Sequence, residues 1–530
     1  METMIPLYAI EQVGLPILSL ALWIPAIAAI LLWLGIIPIP SRWLALGAAG
    51  LQLIVALIAV FAFRLEHAAL QLFEAFGIYR LGLDGVSILF LPLTAILTFL
   101  CIYTNELGDR QNIKNQTKDK AEDTISPHND VIIRRHYAAL LAISAILTGA
   151  FCAADIRLFW LFFSAEAIPV WFLLRQHGRS KQTIRDFAIM MAMAAGLSLI
   201  GLELLIGNIG SAKIEALNTA EISLSSQKAI FVLLALAFAI RAPLFPLHGW
   251  LPRILEHGPV MGLGVFLVGL KVAAYGFLRF MIIPMPEISS ELGWVLATLG
   301  GIGAIYGAAI ALIQTDLRRL LAYASIAHVG MIVIGLFSLN LYGIEGGLLQ
   351  MLTIGMAVAG LYMLCAFIAR RVGSPDVAHL GSMVDRAPWL AGVFLLTALA
   401  AVGMPGTSGF NGEHLVVIGA YKAHWIFAMM VVTSTLLTAA YLLRFFQHAF
   451  MNPAKDNNQE NTFDDLRKDE RIVAASITAM VLVVGLYTGP FIALMRSSIT
   501  VIADRLPVTH AAHIAHGDEP SSSLSIKGDQ

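Results

Sequence analysis

Long apolar runs recur from one end of the chain to the other. Each is about 18–25 residues long, enough for a helix to cross roughly 30 Å of hydrocarbon. Of all residues 58% are hydrophobic and 13% are charged, whereas a soluble domain is roughly 45–50% apolar and about 25% charged. The sequence therefore predicts an all-α integral membrane protein with about fourteen transmembrane helices. The runs lie near residues 14–38, 43–63, 84–104, 136–153, 157–175, 187–208, 228–250, 260–282, 292–313, 319–338, 342–369, 388–420, 424–447 and 471–495.

Composition argues against several other classes of protein. A net charge of −1 gives no indication of nucleic-acid binding. Cys101, Cys152 and Cys365 lie far apart in apolar runs, which indicates small core residues rather than a disulfide, metal or iron–sulfur site. No strand followed by GxGxxG indicates a dinucleotide site. No basic residue precedes the first apolar run, so we expect that span to be retained rather than cleaved as a signal peptide.

The distribution of lysine and arginine predicts the orientation in the membrane. With the N-terminus on the outer side, the inner loops hold about 22 of these residues and the outer segments about 10. Both termini are therefore expected on the outer side, which is the periplasmic side of the inner membrane in a bacterial cell. The polar segments 105–135 and 448–470 are expected as mobile inner loops, and the tail 507–530 as similar surface.

Two apolar runs are interrupted at comparable points. The run 228–250 breaks at Arg241-Ala242-Pro243, and the run 388–420 breaks at Gly403-Met404-Pro405. A proline removes a backbone donor and clashes with the carbonyl four residues earlier, so each run predicts a broken helix. The two runs are the seventh and the twelfth, and an odd offset places them in opposite orientations, as in transporters built from inverted halves.

We therefore expect two inverted five-helix repeats, at roughly 136–282 and 292–447, each containing a broken helix. The expected organisation is an N-terminal three-helix segment with an inner loop (1–135), a first repeat (136–282), a second repeat (283–447), and an inner loop with the last helix and a polar tail (448–530).

A few ionisable residues lie on this apolar background. A charge inside the membrane costs on the order of 2.5–3.5 kcal/mol on insertion scales, so it usually faces a partner or a water-filled cavity. Lysine, histidine and glutamate can each be charged or neutral when buried, so a series of them can pass protons through a membrane. The candidates are Glu166, Glu203, Arg241, His248, Lys271, His328, Glu345 and Glu413.

Some of these residues have structural interpretations as well. Glu345 lies near a helix start, where the helix dipole favours a carboxylate. Glu203 could pair with Arg241 instead of carrying protons, and His248 could cap backbone groups freed at the first break. Lys271 and Glu413 are the hardest to explain structurally, and we expect both to have a functional role.

Five motifs carry a resemblance to a known family. They are GLDGVSILFLPLT (82–94), PLHGWLP (246–252), LKVAAYGFLRF (270–280), TDLRRLLAYASIAHVG (315–330) and GMPGTSGFNGEH (403–414). With them the chain, from about residue 80 to 450, resembles the M subunit (subunit 4) family of proton-pumping NADH:quinone oxidoreductase, respiratory complex I. More broadly it resembles the proton-antiporter-like membrane subunits. The Lys271 helix and the GMPGT stretch favour the M subunits over the related L and N subunits.

The resemblance implies a proton path along the membrane. In the family this path uses a glutamate on the fifth helix, lysines on the seventh and eighth, histidines on the tenth and eleventh, and a glutamate or lysine on the twelfth. Lys271, His328 and Glu413 match the eighth, tenth and twelfth helices. The resemblance also implies that NADH, FMN, iron–sulfur clusters and quinone are bound by partner subunits, and that this chain holds no cofactor itself.

The remaining positions depart from the family pattern. With Pro169 aligned, the fifth-helix glutamate falls at Ser164, and Glu166, two residues on and about 200° around a helix, would point elsewhere unless the helix is rotated. Arg241 replaces the seventh-helix lysine, and Ile354 falls at the eleventh-helix histidine. The loop after PLHGWLP reads Arg253-Ile254-Leu255 instead of the usual Asp-Ala-His.

These departures predict an altered first half of the path. A buried lysine can release its proton, whereas an arginine effectively cannot. Arg241 then requires a fixed anion, for which Glu166 and Glu203 are the candidates. We expect the first half to be altered or inactive and the Lys271–His328–Glu413 half to remain competent.

Other functions remain open at the level of sequence. The chain could be a paralogous subunit of a cation/proton antiporter, a membrane-bound hydrogenase or a carbon-uptake complex, or a structural subunit that does not conduct. In each case we expect membrane and peripheral partner subunits and the lipid bilayer, and no nucleic acid. Since the chain has no redox motif, any enzymatic activity would belong to the assembly.

Overall fold

The computed structural model describes residues 16–36, 38–116, 127–177, 180–453 and 465–506, which form long helices and one short hairpin. The helices are α1 (Ile17–Leu34), α2 (Ser41–Ala62), α3 (Phe90–Gln116), α4 (Pro127–Cys152), α5 (Ile156–Ala165), α6 (Ala167–His177), α7 (Lys181–Ile209), α8 (Leu224–Arg241), α9 (Trp250–His257), α10 (Val260–Phe277), α11 (Pro286–Leu312), α12 (Leu317–Phe337), α13 (Leu341–Val372), α14 (Met383–Arg386), α15 (Pro388–Val402), α16 (Ser408–Ala423), α17 (Trp425–Phe446), α18 (Lys468–Leu486) and α19 (Thr488–Ala503). The strands are β1 (Gln71–Phe76) and β2 (Tyr79–Leu83).

The predicted helical membrane fold is confirmed. Within the described ranges, eleven helices are long and apolar enough to cross a membrane, and α18 with α19 makes a twelfth if this pair, bent by 66°, is one span. Two shorter apolar helices, Phe90–Thr104 and Pro388–Val402, account for the rest of the predicted runs. The total of about fourteen crossings, the orientation and the two inverted repeats stay predictions.

Both predicted helix breaks are confirmed. α8 ends at Arg241 and α9 begins only at Trp250, while α15 ends at Val402 and α16 begins at Ser408. Gly403 ends α15 in the left-handed region with φ 79°, a conformation that a residue with a Cβ rarely adopts. A further break at Tyr487, between α18 and α19, was not predicted, whereas α5 and α6 together form the single apolar span Ile156–Gln176.

The segment 105–135 differs from its prediction as a loop. α3 continues to Gln116 and α4 already begins at Pro127, so helix extends into this polar stretch from both sides. In the second predicted loop, 448–470, a π-helical turn continues α17 to Met451. Residues 1–15, part of each loop and the tail from residue 507 lie outside the described residues.

The hairpin is an exception to the all-helical prediction. β1 and β2 pair antiparallel through Glu74–Leu81, Ala75–Arg80 and Phe76–Tyr79, around a turn with Gly77 at φ 63°. The Glu74 carboxylate accepts the backbone N–H of Leu18 at 2.7 Å and of Ser19 at 2.9 Å. These donors have no partner within a helix, so the hairpin caps the start of α1.

Three helices form the centre of the molecule. α10, α12 and α13 are buried along almost their whole length, whereas the other spans present one face to the surroundings. A helix that is apolar all round is expected in the interior, and an exposed apolar face is expected toward lipid. Lys271 on α10 and His328 on α12 therefore lie in the middle of the helix bundle.

Glycines fix the register of α16 against α13. A Cβ at Gly346 would lie 2.5 Å from the backbone nitrogen of Val416, and one at Gly412 would lie 2.7 Å from Gln350 Oε1. One turn further along, a Cβ at Gly419 would overlap the backbone of Gly343. The three contacts run antiparallel along the two helices. Small residues thus allow the backbones to approach closely, as is common between membrane helices.

A buried ion pair anchors the C-terminal end of α10. Arg279 lies in a π-helical turn after α10 and donates to Asp84 Oδ2 at 2.5 Å and to the Tyr275 hydroxyl at 3.1 Å. The other oxygen of Asp84 accepts the backbone N–H groups of Val86 and Ser87 at 3.1 and 3.2 Å. This pair explains the charged residues of the GLDGVS and YGFLRF motifs as structural.

The glycine contact between α13 and α16 predicts opposite effects of one substitution at two sites. Gly346→Ala places a methyl group against backbone, and we expect it to lower stability, since overpacking a core typically costs about 1–3 kcal/mol. Gly392→Ala on α15 meets nothing within 4 Å, and we expect unchanged or higher stability because alanine favours helix by about 1 kcal/mol. The thermal aggregation midpoint of the chain in detergent-solubilised membranes measures both. Equal midpoints for the two variants would contradict the packing described.

Candidate functional site

Arg241 and Glu166 form an ion pair inside the bundle. The Arg241 guanidinium donates to Glu166 Oε2, and each side chain is only 1% exposed. Arg241 also donates to the Met191 sulfur at 2.8 Å, and its guanidinium lies over the rings of Phe163 and Phe266 at 5.7 and 5.8 Å. The expectation that Arg241 requires a fixed anion is confirmed, and Glu166 supplies it.

The expectation that Glu166 points elsewhere is wrong. α5 ends at Ala165 and α6 begins at Ala167, but Glu166 between them keeps helical dihedral angles, and its N–H donates to the carbonyl of Phe162 at 3.2 Å. The two helices therefore form the single span Ile156–Gln176. This span is oriented so that the Glu166 carboxylate faces Arg241.

The second carboxylate oxygen of Glu166 faces α10. Glu166 Oε1 has no hydrogen-bond partner among the described residues. A Cβ built on Gly269 would overlap this oxygen, so only glycine at that position accommodates the carboxylate. Lys271 is two residues further along α10, about 200° around the helix, so it points away from Glu166.

Glu203 does not pair with Arg241, and that structural interpretation is wrong. Its carboxylate accepts two hydrogen bonds from Arg157, at 2.7 and 2.9 Å. Both side chains are about half exposed, at 55% and 41%, on the surface formed by α5 and α7. Glu203 therefore lies on the outward face of α7, away from the interior groups.

His248 lies at the first helix break, but its side chain does not hydrogen-bond the backbone groups freed there. Its ring stacks on Phe245 at 5.7 Å and contacts Tyr306 edge-on at 5.2 Å between ring centroids. Its Nδ1 has no hydrogen-bond partner in the described part of the chain. The capping role expected for His248 is therefore wrong, and the residue packs between two aromatic rings.

Lys271 is buried without an acidic partner. It is 3% exposed, and its Nζ donates to the carbonyl of Leu267 on its own helix at 2.9 Å. Within residues 180–453 and the other described ranges, no carboxylate forms an ion pair with it. The position of a Cβ on Gly355 lies 3.8 Å from Lys271 Cε, so the lysine extends across a glycine of α13.

His328 is buried close to Lys271. It is 1% exposed, and neither ring nitrogen has a hydrogen-bond partner in the described ranges. The Lys271 ammonium is near enough for its charge to act on the ring. Gly335, seven residues later on the same face of α12, packs against Gly343 and Gly347. His328 therefore also faces α13.

Glu413 lies at the second break, on the other side of α13. It is 7% exposed, and its Oε1 has no partner among the residues described. Its other oxygen lies against Gly403, where a Cβ would overlap it. The left-handed glycine of the break thus makes the space that the carboxylate occupies.

Two uncharged polar residues complete this interior and were not predicted from the sequence. Gln350 and Thr353 on α13 are both fully buried. The Gln350 Oε1 lies against Gly412, next to Glu413 in the chain, and its Nε2 has no partner among the described residues. The available indication in the sequence was a polar pair in the apolar stretch LLQMLTIGM.

These residues divide into two chemical groups. Arg241 and Glu166 form an ion pair, and because an arginine effectively cannot release its proton, the pair is fixed. Among the described residues Lys271, His328 and Glu413 have no ion-pair partner, and each is of a residue type that can be neutral, which suits proton exchange. In the described residues no group of three or more His, Cys, Asp or Glu is placed to hold a metal, and all three cysteines are buried and unpaired.

Comparisons with known proteins identify the family to which the chain is similar. A family described as NADH:quinone oxidoreductase/Mrp antiporter matches residues 153–438. The NADH-quinone oxidoreductase subunit M of Mycobacterium tuberculosis is 30% identical over 509 residues, covering 89% of this chain and 92% of that protein.

Two solved structures give the same result for the fold. A chain of respiratory complex I from Thermus thermophilus with bound NADH has a TM-score of 0.78 at 28% identity, covering 92% of this chain and 99% of that one. A chain of the Mrp complex from Dietzia sp. DQ12-45-1b has a TM-score of 0.77 at 20% identity, covering 94% and 99%, which is a likeness of fold alone.

The interior ion pair predicts a large difference between two glutamates. Glu166→Gln leaves the buried Arg241 charge without its partner, and losing one member of a buried pair costs about 3–5 kcal/mol. Glu203→Gln removes one member of a half-exposed pair, and we expect little change. The thermal aggregation midpoint of the chain in solubilised membranes compares the two variants. A larger loss for Glu203→Gln would contradict the assignment of Glu166 as the partner of Arg241.

Proposed function

Because the chain belongs to the NADH:quinone oxidoreductase/Mrp antiporter family of membrane proteins, we propose that it is a proton-translocating, antiporter-like subunit of a complex I-type NADH:quinone oxidoreductase. The observation that carries the proposal is that Lys271, His328 and Glu413 lie in the interior and have no ion-pair partner among the described residues. A buried ionisable group with no partner is costly, and such groups in membrane proteins mark ion pathways.

Electrostatics within this half favours onward transfer. Lys271 and His328 are close enough to interact, so a proton on Lys271 disfavours a second positive charge on His328. A proton that leaves His328 moves toward the Glu413 carboxylate, which becomes a neutral carboxylic acid when it accepts the proton. In each step a proton moves between two groups whose neutral form is favoured by burial.

The first half of the path is proposed to be inactive. Arg241 cannot release its proton, and Glu166 is held by it as a carboxylate. α10 separates the pair from Lys271, since Gly269 meets Glu166 on one face while Lys271 points to the other. The pair therefore acts as a fixed structural charge, in contrast to an exchangeable glutamate–lysine pair.

The finer points of assembly and location follow from the same proposal. The chain lies in the cell (inner) membrane as a multi-pass subunit, with both termini on the outer side, and works as two antiporter-like repeats. It holds no cofactor, and its partner subunits bind NADH, FMN, iron–sulfur clusters and quinone. Affinity purification of the tagged chain in mild detergent tests this assembly: partners with NADH:quinone activity support it. Antiporter or hydrogenase partners without that activity would place the chain in another machine.

Neutralising the competent half is expected to uncouple electron transfer from pumping. Lys271→Met and Glu413→Gln should each lower the rate of proton uptake by membrane vesicles at least about tenfold at a matched rate of NADH oxidation, which corresponds to a rise of about 1.4 kcal/mol or more in the barrier of the rate-limiting proton step. NADH:ferricyanide activity, normalised to the amount of the chain, controls for assembly. Full pumping in both variants would favour a structural subunit that does not conduct.

The fixed pair is expected to respond to a change of cation. Arg241→Lys introduces a group that can release its proton, so the proton yield per NADH should change while assembly is retained. Arg241→Ala leaves Glu166 buried alone and should reduce the assembled amount. If neither substitution altered pumping or assembly, the assignment of Arg241 as a fixed charge would be wrong.

A further inference from the structure

The proposed path has to pass α13, which stands between its charged groups. Lys271 lies against α13 at Gly355, and α16 with Glu413 lies against α13 at Gln350. These two positions on α13 are five residues apart, which is about 140° around a helix. Lys271 and Glu413 are therefore on different sides of a helix that is buried along its length. A proton moving between them needs polar groups on α13 itself.

α13 offers few groups for this step. Ile354, at the position where the family has a histidine, is apolar and buried. Glu345 lies nearer the start of the helix, within range of the charge of Arg496. Gln350 and Thr353 remain, one turn apart, with the Thr353 hydroxyl 3.5 Å from Gln350 Oε1.

Gln350 is placed next to the acceptor. A Cβ on Gly412 would lie 2.7 Å from Gln350 Oε1, and Gly412 directly precedes Glu413. Gln350 Nε2, Glu413 Oε1 and both ring nitrogens of His328 have no hydrogen-bond partner among the described residues. Burying an amide donor without a hydrogen-bond partner costs free energy. An unused Gln350 donor close to the carboxylate of Glu413 therefore indicates that the amide binds another group there.

We propose that Gln350, with the Thr353 hydroxyl, is the polar link by which the proton path crosses α13 from His328 to Glu413; the proposal rests on the proton-translocating function above. An amide does not carry a proton at ordinary pH. Gln350 instead orients water between the imidazole and the carboxyl group, and donates through Nε2 to an oxygen of Glu413 in both its ionised and its neutral form. The proton leaves the imidazolium, passes along the water and ends on the Glu413 carboxylate. Gln350 is therefore a positioning residue.

The test removes the amide and keeps its volume. Gln350→Leu should lower proton uptake per NADH oxidised at least about fivefold in vesicles, with NADH:ferricyanide activity per assembled complex unchanged. The carboxyl stretching band of Glu413, identified by its loss in Glu413→Gln, should shift to higher frequency because its hydrogen-bond donor is gone. Gln350→Met, with a flexible apolar side chain, replaces Gln350→Leu if that variant does not assemble.

A matched control is available at a second buried glutamine. Gln52 is fully buried, bonded to Thr148 at 3.1 Å and to Ser144 at 2.8 Å between α2 and α4. Gln52→Leu should alter stability without changing pumping per assembled complex or the Glu413 band. A rescue variant separates path from packing: Ile354→His in the Gln350→Leu background should restore pumping by supplying another polar group on α13.

The outcomes separate this proposal from the proposed function. Loss of pumping in Lys271→Met and Glu413→Gln, with normal pumping and an unshifted Glu413 band in Gln350→Leu, would overturn the role of Gln350 alone. Normal pumping in all of these variants would overturn the proton-translocating function itself. Loss of pumping in Gln350→Leu with no change in the Glu413 band and no rescue by Ile354→His would assign Gln350 to packing, which also overturns the proposal.

Discussion

A charge removed from water must either meet an opposite charge or be able to lose its own, and this constraint sorts the ionisable groups of the interior. Arg241 with Glu166 and Arg279 with Asp84 meet the first condition. Both pairs contain arginine, which does not become neutral, so both are fixed parts of the structure. Lys271 has no ion-pair partner among the described residues, and in the proposed path it meets the constraint by exchanging its proton. In that proposal the presence or absence of a counter-charge distinguishes structural from proton-carrying groups within one bundle.

Room for these side chains comes from glycine. Tightly packed membrane helices leave little space for a long polar side chain between them. Glu166 occupies the space left by Gly269, Lys271 extends across Gly355, and Glu413 lies against Gly403. Gln350 lies against Gly412 in the same way. The positions of the glycines therefore determine which helix each polar group faces, and through this which groups can exchange protons.

The sequence predicted the larger features and missed the local ones. Apolar length and proline at Pro243 and Pro405 were enough to predict the helical membrane fold and its two broken helices, because both depend on a residue's own chemistry. The direction of Glu166 was wrong because an alignment on Pro169 gives a position along the chain but not the rotation of the helix about its axis, and the structure turns the Glu166 carboxylate toward Arg241. The pairing of Glu203 with Arg157 depends on which face of α7 meets α5, which the sequence of one helix does not determine.

Gln350 was missed for a different reason. A search for charged residues in an apolar run does not detect an amide. In a water-excluded interior, however, an amide with an unused donor needs a hydrogen-bond partner nearly as strongly as a charge does. The two halves of the proposed path then differ in the polar side chains carried by the buried helix that each half has to cross. Gly269 and Lys271 face opposite ways on α10, whereas α13 carries the buried polar side chains of Gln350 and Thr353. Under the proposed path, polar contact across a buried helix, more than the number of ionisable residues, separates the competent half from the inactive one.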